Sequence, residues 1–135
     1  MARYIAIIDY ADRQFGAYFP DAPGCTAMGR TEEEVIANAT EALSEWAADA
    51  RAEGLPIGKP RTYAQLLKSK DFPELGKGGL IATIPLVIET GRLTRANISM
   101  DAGVLAAIDE EAQRRGLTRS SFLTSAAKEK ISTGV

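Results

Sequence analysis

The chain is predicted to be α+β: a small antiparallel sheet packed on a helix, followed by one short strand and two helices that need a second copy to form a core. Three observations predict this. Short β-branched apolar runs separated by turn residues open the chain, as antiparallel strands do. A long stretch from Thr31 then places apolar residues at three- and four-residue intervals behind a capping signature. Finally, Arg95-Ala96-Asn97-Ile98-Ser99-Met100 alternates polar and apolar side chains and runs directly into two helical stripes.

Arg3-Tyr4-Ile5-Ala6-Ile7-Ile8 reads as a buried or half-buried strand, and the turn-like Ala11-Asp12-Arg13-Gln14 leads into a second strand over Phe15 to Phe19. Together these form a hairpin. Pro20-Asp21-Ala22-Pro23-Gly24 is a rigid turn, after which Cys25 to Met28 form a third short strand. The helix that follows is capped by Thr31-Glu32-Glu33-Glu34, whose carboxylates sit at the positive end of the helix dipole. Val35, Ala39, Ala42, Leu43, Trp46 and Ala50 mark its buried face, with Glu41, Glu45 and Asp49 opposite. Gly54 ends it, Pro56 and Pro60 keep the next loop out of helical geometry, and Tyr63-Ala64-Gln65-Leu66-Leu67 adds a short helix. Leu80 to Ile84 and Leu86 to Ile88 read as a fourth strand interrupted by Pro85, which confines it to an edge or a bulge. Glu89-Thr90-Gly91 is a short linker, giving an expected division into domains 1–90 and 91–135.

In the second domain Arg95, Asn97 and Ser99 share one strand face, and Ala96, Ile98 and Met100 the other. The polar set suits reading of bases and the apolar set anchorage to a core. Asp101 opens a helix with Val104, Leu105, Ile108 and Ala112 on one stripe, and Gly116 closes it. Thr118 caps a second helix carrying Phe122, Leu123, Ala126, Ala127 and Ile131. A lone six-residue strand leaves its backbone N–H and C=O groups unpaired, so pairing with a second copy is expected.

Composition excludes several function classes. No apolar run approaches the roughly 20 residues needed to cross a bilayer, and no signal-peptide pattern is seen, so a cytoplasmic location is expected. The single cysteine, Cys25, precludes an intrachain disulfide, and the lack of histidine removes the commonest zinc ligand and general base. Cys25 itself reads as a small residue packed at a strand start, and neither metal nor cofactor is expected. The net charge of −2 hides an asymmetry, since residues 1–91 carry −4 and residues 92–135 carry +2. The basic excess lies beside the polar strand face, where a nucleic acid would be met.

Residues 92 to about 131 resemble the ribbon-helix-helix DNA-binding family, on Arg95 to Met100, the stripe through Leu105 and Ile108, and Gly116-Leu117-Thr118-Arg119-Ser120. The resemblance implies a homodimer whose paired strands enter the major groove of double-stranded operator DNA. Arg95 and Asn97, suited to guanine and adenine, would carry most of the sequence choice, with Ser99 contributing less. Thr118, Arg119 and Ser120, at the amino end of the second helix, would hold phosphate. One departure is Asp101, where many relatives carry Pro, but Asp is itself a good capping residue.

The amino-terminal order resembles the HicB antitoxin family. The residues that carry the likeness are Phe19-Pro20-Asp21-Ala22-Pro23-Gly24-Cys25, Gly29-Arg30-Thr31 with Glu34, Asn38-Ala39, Ala42-Leu43 ahead of Trp46, and Gly54-Leu55-Pro56-Ile57. Ile84-Pro85-Leu86 before a ribbon-helix-helix tail fits the same family. The likeness implies a partial ribonuclease-H-like or double-stranded-RNA-binding-domain-like sheet. It also implies a HicA-like, RNA-cleaving toxin as partner, and repression of the shared operon by the tail. No motif assigns the toxin-binding residues; the acidic balance of residues 1–91 suggests that an acidic face meets a basic toxin. A homodimer through the tail is expected, with a tetramer through the amino-terminal domains as the alternative assembly.

Two other readings compete. Asp9, Asp21 and Glu33 would have to converge on one pocket to support two-metal nuclease chemistry, whereas Asp21 lies in a Pro-rich turn and Glu33 in a first helical turn. A binding protein without enzymatic activity is therefore expected. The alternative within that class is a stand-alone repressor whose amino-terminal domain oligomerises or senses a ligand.

Overall fold

The computed structural model describes residues 1–133. In chain order the elements are β1 (Arg3–Ala11), β2 (Gln14–Tyr18), β3 (Thr26–Gly29), α1 (Glu32–Ala52), α2 (Tyr63–Leu67), β4 (Leu80–Pro85), α3 (Ala102–Arg114) and α4 (Arg119–Thr133). Two compact units arise, Met1–Thr90 and Gly91–Val135.

In the first unit an antiparallel sheet has the order β3-β2-β1-β4. Internal strand β1 is covered on both faces, which explains its unbroken apolar run. Tyr4, Ala6 and Ile8 face the core under α1, while Ile5 and Ile7 join Leu66 of α2, flanked by Tyr18, Phe72 and Ile81. The sequence reading anticipated the first of these cores only. Val35, Ala39, Leu43 and Ala47 supply the buried ridge of α1 at four-residue intervals. Each large apolar side chain buried here contributes about 1.5 to 3 kcal/mol. Trp46, expected in the core, is instead half-buried; its indole N–H donates to the Pro23 carbonyl at 3.1 Å and its ring meets Tyr4 edge-on. Ala47 takes the buried position, because a four-residue step from Leu43 points more squarely at the sheet than a three-residue step.

The connections have local causes. Asp12 and Arg13, with φ of +52° and +63°, close the β1–β2 hairpin between the paired residues Ala11 and Gln14. This is the primed-turn geometry that matches strand twist, built here without glycine. Thr31 accepts the Glu34 N–H at 3.0 Å to start α1, and the fully reciprocal capping box forms at α2, between Thr62 and Gln65. At its other end α1 closes through Gly54 (φ +72°), with Leu55 N–H donating to Ala50 and Gly54 N–H to Arg51. β4 is an edge strand, as Pro85 requires, but it stops there. The expected continuation over Leu86 to Ile88 is not a strand: Leu86 N–H donates to Ala2, and the Val87 carbonyl accepts the Ser44 hydroxyl at 2.9 Å. The loop after α1 is tied back by Asp21, which accepts the Arg61 backbone N–H at 2.7 Å and its Nε at 2.8 Å, while Arg61 also reaches Asp71 at 2.9 Å.

In the second unit Asp101 caps α3, its Oδ1 accepting the N–H groups of Gly103 and Val104 at 2.8 and 3.2 Å. Gly116 (φ +70°) ends α3 in the same way that Gly54 ends α1, with Leu117 N–H on Ala112 and Gly116 N–H on Gln113. No helix among the described residues is long and apolar enough to cross a membrane.

Candidate nucleic-acid interface

The expected reading strand over Arg95 to Met100 is not a strand in the single chain, which offers it no partner to pair with, and its polar residues lie open to solvent. Arg95, Asn97 and Ser99 are exposed within a segment, 95–100, that joins no sheet among the described residues. The apolar face expected to anchor this segment is open as well: Ala96 is exposed, Ile98 is 65% exposed and Met100 half-buried. On α3 and α4 only Ala112 is buried; Val104 is 53% exposed, and Leu105, Ile108, Phe122, Leu123 and Ile131 are half-buried. A unit of this size with so little interior lacks the buried area needed to hold a fold by itself.

At the start of α4, the Thr118 hydroxyl accepts the Ser121 N–H at 3.1 Å and pairs with the Ser121 hydroxyl at 2.9 Å. Ser120 is exposed beside it and lines a shallow groove of about 510 Å³ with Leu93, Ser121, Thr124, Ser125 and Lys128. Arg119 is placed differently from a free phosphate ligand. Its guanidinium grips Asp109 of α3 along one edge, Nε donating to Oδ1 and Nη2 to Oδ2, each at 2.8 Å. The partnership holds the Asp109 carboxyl below its ordinary range. Glu111, two residues along α3, accepts from Arg114 at 2.9 Å and from Arg115 at 2.7 Å, and its carboxyl is held down to about 2 by those two guanidinium groups. Sequence reasoning missed Asp109 because ten residues and a helix reversal separate it from Arg119; the only available signal was its place on the polar side of the α3 stripe.

In the first unit the exposed side of α1 carries Glu32, Glu33, Glu34, Glu41, Glu45 and Asp49. The three carboxylates weighed for metal chemistry do not come together: Asp21 is taken by Arg61, while Asp9 and Glu33 are exposed on a strand and a helix start. Among the described residues no group of three or more His, Cys, Asp or Glu side chains is arranged to hold a metal ion. Cys25 is buried immediately before β3, and desolvation, aided by the Glu45 charge, pushes its thiol up to about 11.

Comparison with known proteins agrees with this architecture. No curated protein sequence matches the chain. Among solved structures, the antitoxin HicB of Burkholderia pseudomallei is similar over 100% of both chains at 25% identity, with a TM-score of 0.54. An antitoxin HicB3 crystal structure matches at 29% identity over 96% of this chain and 97% of that one, TM-score 0.50. A HicA3 and HicB3 toxin-antitoxin complex matches at 25% identity over 63% of this chain and 98% of that one, TM-score 0.51. The family profile described as HicB_like antitoxin of bacterial toxin-antitoxin system covers residues 4–127, so the chain belongs to the HicB-like antitoxins.

Proposed function

We propose that this antitoxin has two binding surfaces and makes or breaks no bond: the first unit neutralises a HicA-like, RNA-cleaving toxin, and the second represses the operon as a ribbon-helix-helix dimer. The toxin reading is supported by the similar chain found in a HicA3 and HicB3 complex. It is supported too by the acidic exposed side of α1, which suits a basic RNA-binding partner and would mainly speed its association.

The observation that carries the DNA reading is the exposed stretch 95–100, outside the sheet, whose Arg95, Asn97 and Ser99 alternate with apolar residues equally in need of cover. Two copies of this segment, paired antiparallel, would satisfy the backbone, bury Ile98 and Met100 against the α3 and α4 stripes, and send the polar set into the major groove. Thr118, Ser120 and the first N–H groups of α4 would then hold the flanking phosphates, with Arg119 beside them. The protein would act in the cytoplasm, where the operon and the toxin's RNA substrates meet.

Operator titration tests this reading. Arg95→Ala loses about 1 to 3 kcal/mol for each bidentate base contact removed and relaxes the choice of sequence, while binding of a HicA-like toxin is unchanged. Equal loss on operator and scrambled duplex would show that Arg95 does not read bases.

A further inference from the structure

Arg119 stands where an anion would be met at the start of α4, yet its Nε/Nη2 edge is turned back onto Asp109, with both bonds at 2.8 Å. The geometry is the planar, two-pronged fit by which arginine also holds a phosphate, so Asp109 and a phosphate compete for the same face of the guanidinium. α3 repeats the device with Glu111, which holds Arg114 and Arg115. Three of the seven Lys and Arg residues in 92–135 are therefore engaged by two carboxylates of one helix.

We propose that Asp109 locks Arg119 away from the DNA backbone, so that the tail's sequence-independent affinity stays low and operator choice rests on Arg95 and Asn97. This rests on the DNA reading given above. Affinity for any duplex comes from cations that replace condensed counterions on phosphate, and each contact adds about 0.9 to the salt slope. A cation that must abandon a carboxylate to reach phosphate gains little, because it exchanges one anion for another. It also leaves Asp109 unpaired beside a polyanion, where like charges repel. Both partners are largely exposed, with side-chain accessibilities of 55% and 44%, so the pair is weak enough for a single neutral substitution to open.

The test measures binding of the full-length protein, wild type, Asp109→Asn, Arg119→Ala and the double variant, to an operator duplex and a scrambled duplex across a salt series. Asp109→Asn is expected to tighten binding to the scrambled duplex and steepen the salt slope by about 1.8 per dimer, an extra change of about 12-fold between 50 and 200 mM salt. Arg119→Ala alone leaves the wild-type slope nearly unchanged, and adding it to Asp109→Asn restores that slope. The lock is overturned if Asp109→Asn leaves the slope unaltered, or if Arg119→Ala flattens it as much in the wild-type background as in the Asn background. Wild-type protein that binds neither duplex overturns the DNA reading and the lock with it, a failure visible before any substitution is made.

Discussion

Gly29→Ala probes the joint on which the first unit depends. A Cβ built at Gly29 would lie 2.5 Å from the Val35 nitrogen, 2.8 Å from its Cα and 3.0 Å from the Glu34 carbonyl carbon. Ordinary contact begins at 3.4 Å, so the shortest of these falls about 0.9 Å inside it. All three atoms are backbone, and no side-chain rotation relieves the clash. β3 must withdraw from the first turn of α1, straining the Asn38 bond to the Met28 carbonyl and uncovering Val35, which is fully buried. Overpacking ranges over about 1 to 3 kcal/mol, and a backbone clash belongs at the top, so about 3 kcal/mol of destabilisation is expected. In a unit of this size that lowers the melting temperature by about 12 to 24 °C. Trp46, the single tryptophan, reports the transition by fluorescence in heat or urea. Gly16→Ala is the matched control, since nothing lies within 4 Å of its added Cβ, and should stay within about 0.5 kcal/mol of wild type. If Gly29→Ala is as benign as Gly16→Ala, the close approach of β3 to α1 is wrong.

Three further outcomes follow from the geometry. Replacing Asp12-Arg13 by Asn-Gly relieves the two left-handed positions of the hairpin turn and should raise stability by about 1 kcal/mol or more in urea denaturation; a loss would contradict the turn geometry. Asp21→Ala frees Arg61 and the loop that it ties down, so trypsin should cut after Arg61 in the variant far faster than in wild type, with equal rates arguing against the clamp. Because Arg114 and Arg115 hold the Glu111 carboxyl down from 4.5 to about 2, its contribution is complete above pH 4.5 and disappears as pH falls towards 2; Glu111→Gln should remove that part of the acid sensitivity of α3 in a circular-dichroism titration, and an unchanged acid profile would count against the ion pairs.

The elements most legible in the sequence are those whose causes are local. Thr31 with Glu34, the four-residue spacing through Leu43 and the glycine at 54 define α1 without reference to the rest of the chain, and Asp101 and Gly116 do the same for α3. Pro85 fixed β4 to an edge because a missing donor is a property of one residue. What escaped depends on residues far apart in sequence. The second core, Ile5 and Ile7 against Leu66, joins positions some 60 residues apart, and a continuous apolar run says that both faces are covered without saying by what. The Asp21–Arg61 clamp spans 40 residues, and the Asp109–Arg119 pair crosses a helix reversal. For residues 95–100, alternation predicted one face for Arg95, Asn97 and Ser99, but anchorage of the other face would, on the proposed reading, be a property of two chains, and a single chain leaves Ile98 in solvent.

Hydrogen exchange of the 95–100 amides in the full-length protein tests the proposed dependence on a second copy most directly. In an antiparallel pair alternate N–H groups bond to the partner, so every second amide in the segment should be protected at high protein concentration and lose protection on dilution below the dimer dissociation constant. Exchange of all six at unprotected rates, whatever the concentration, would contradict a paired, base-reading ribbon.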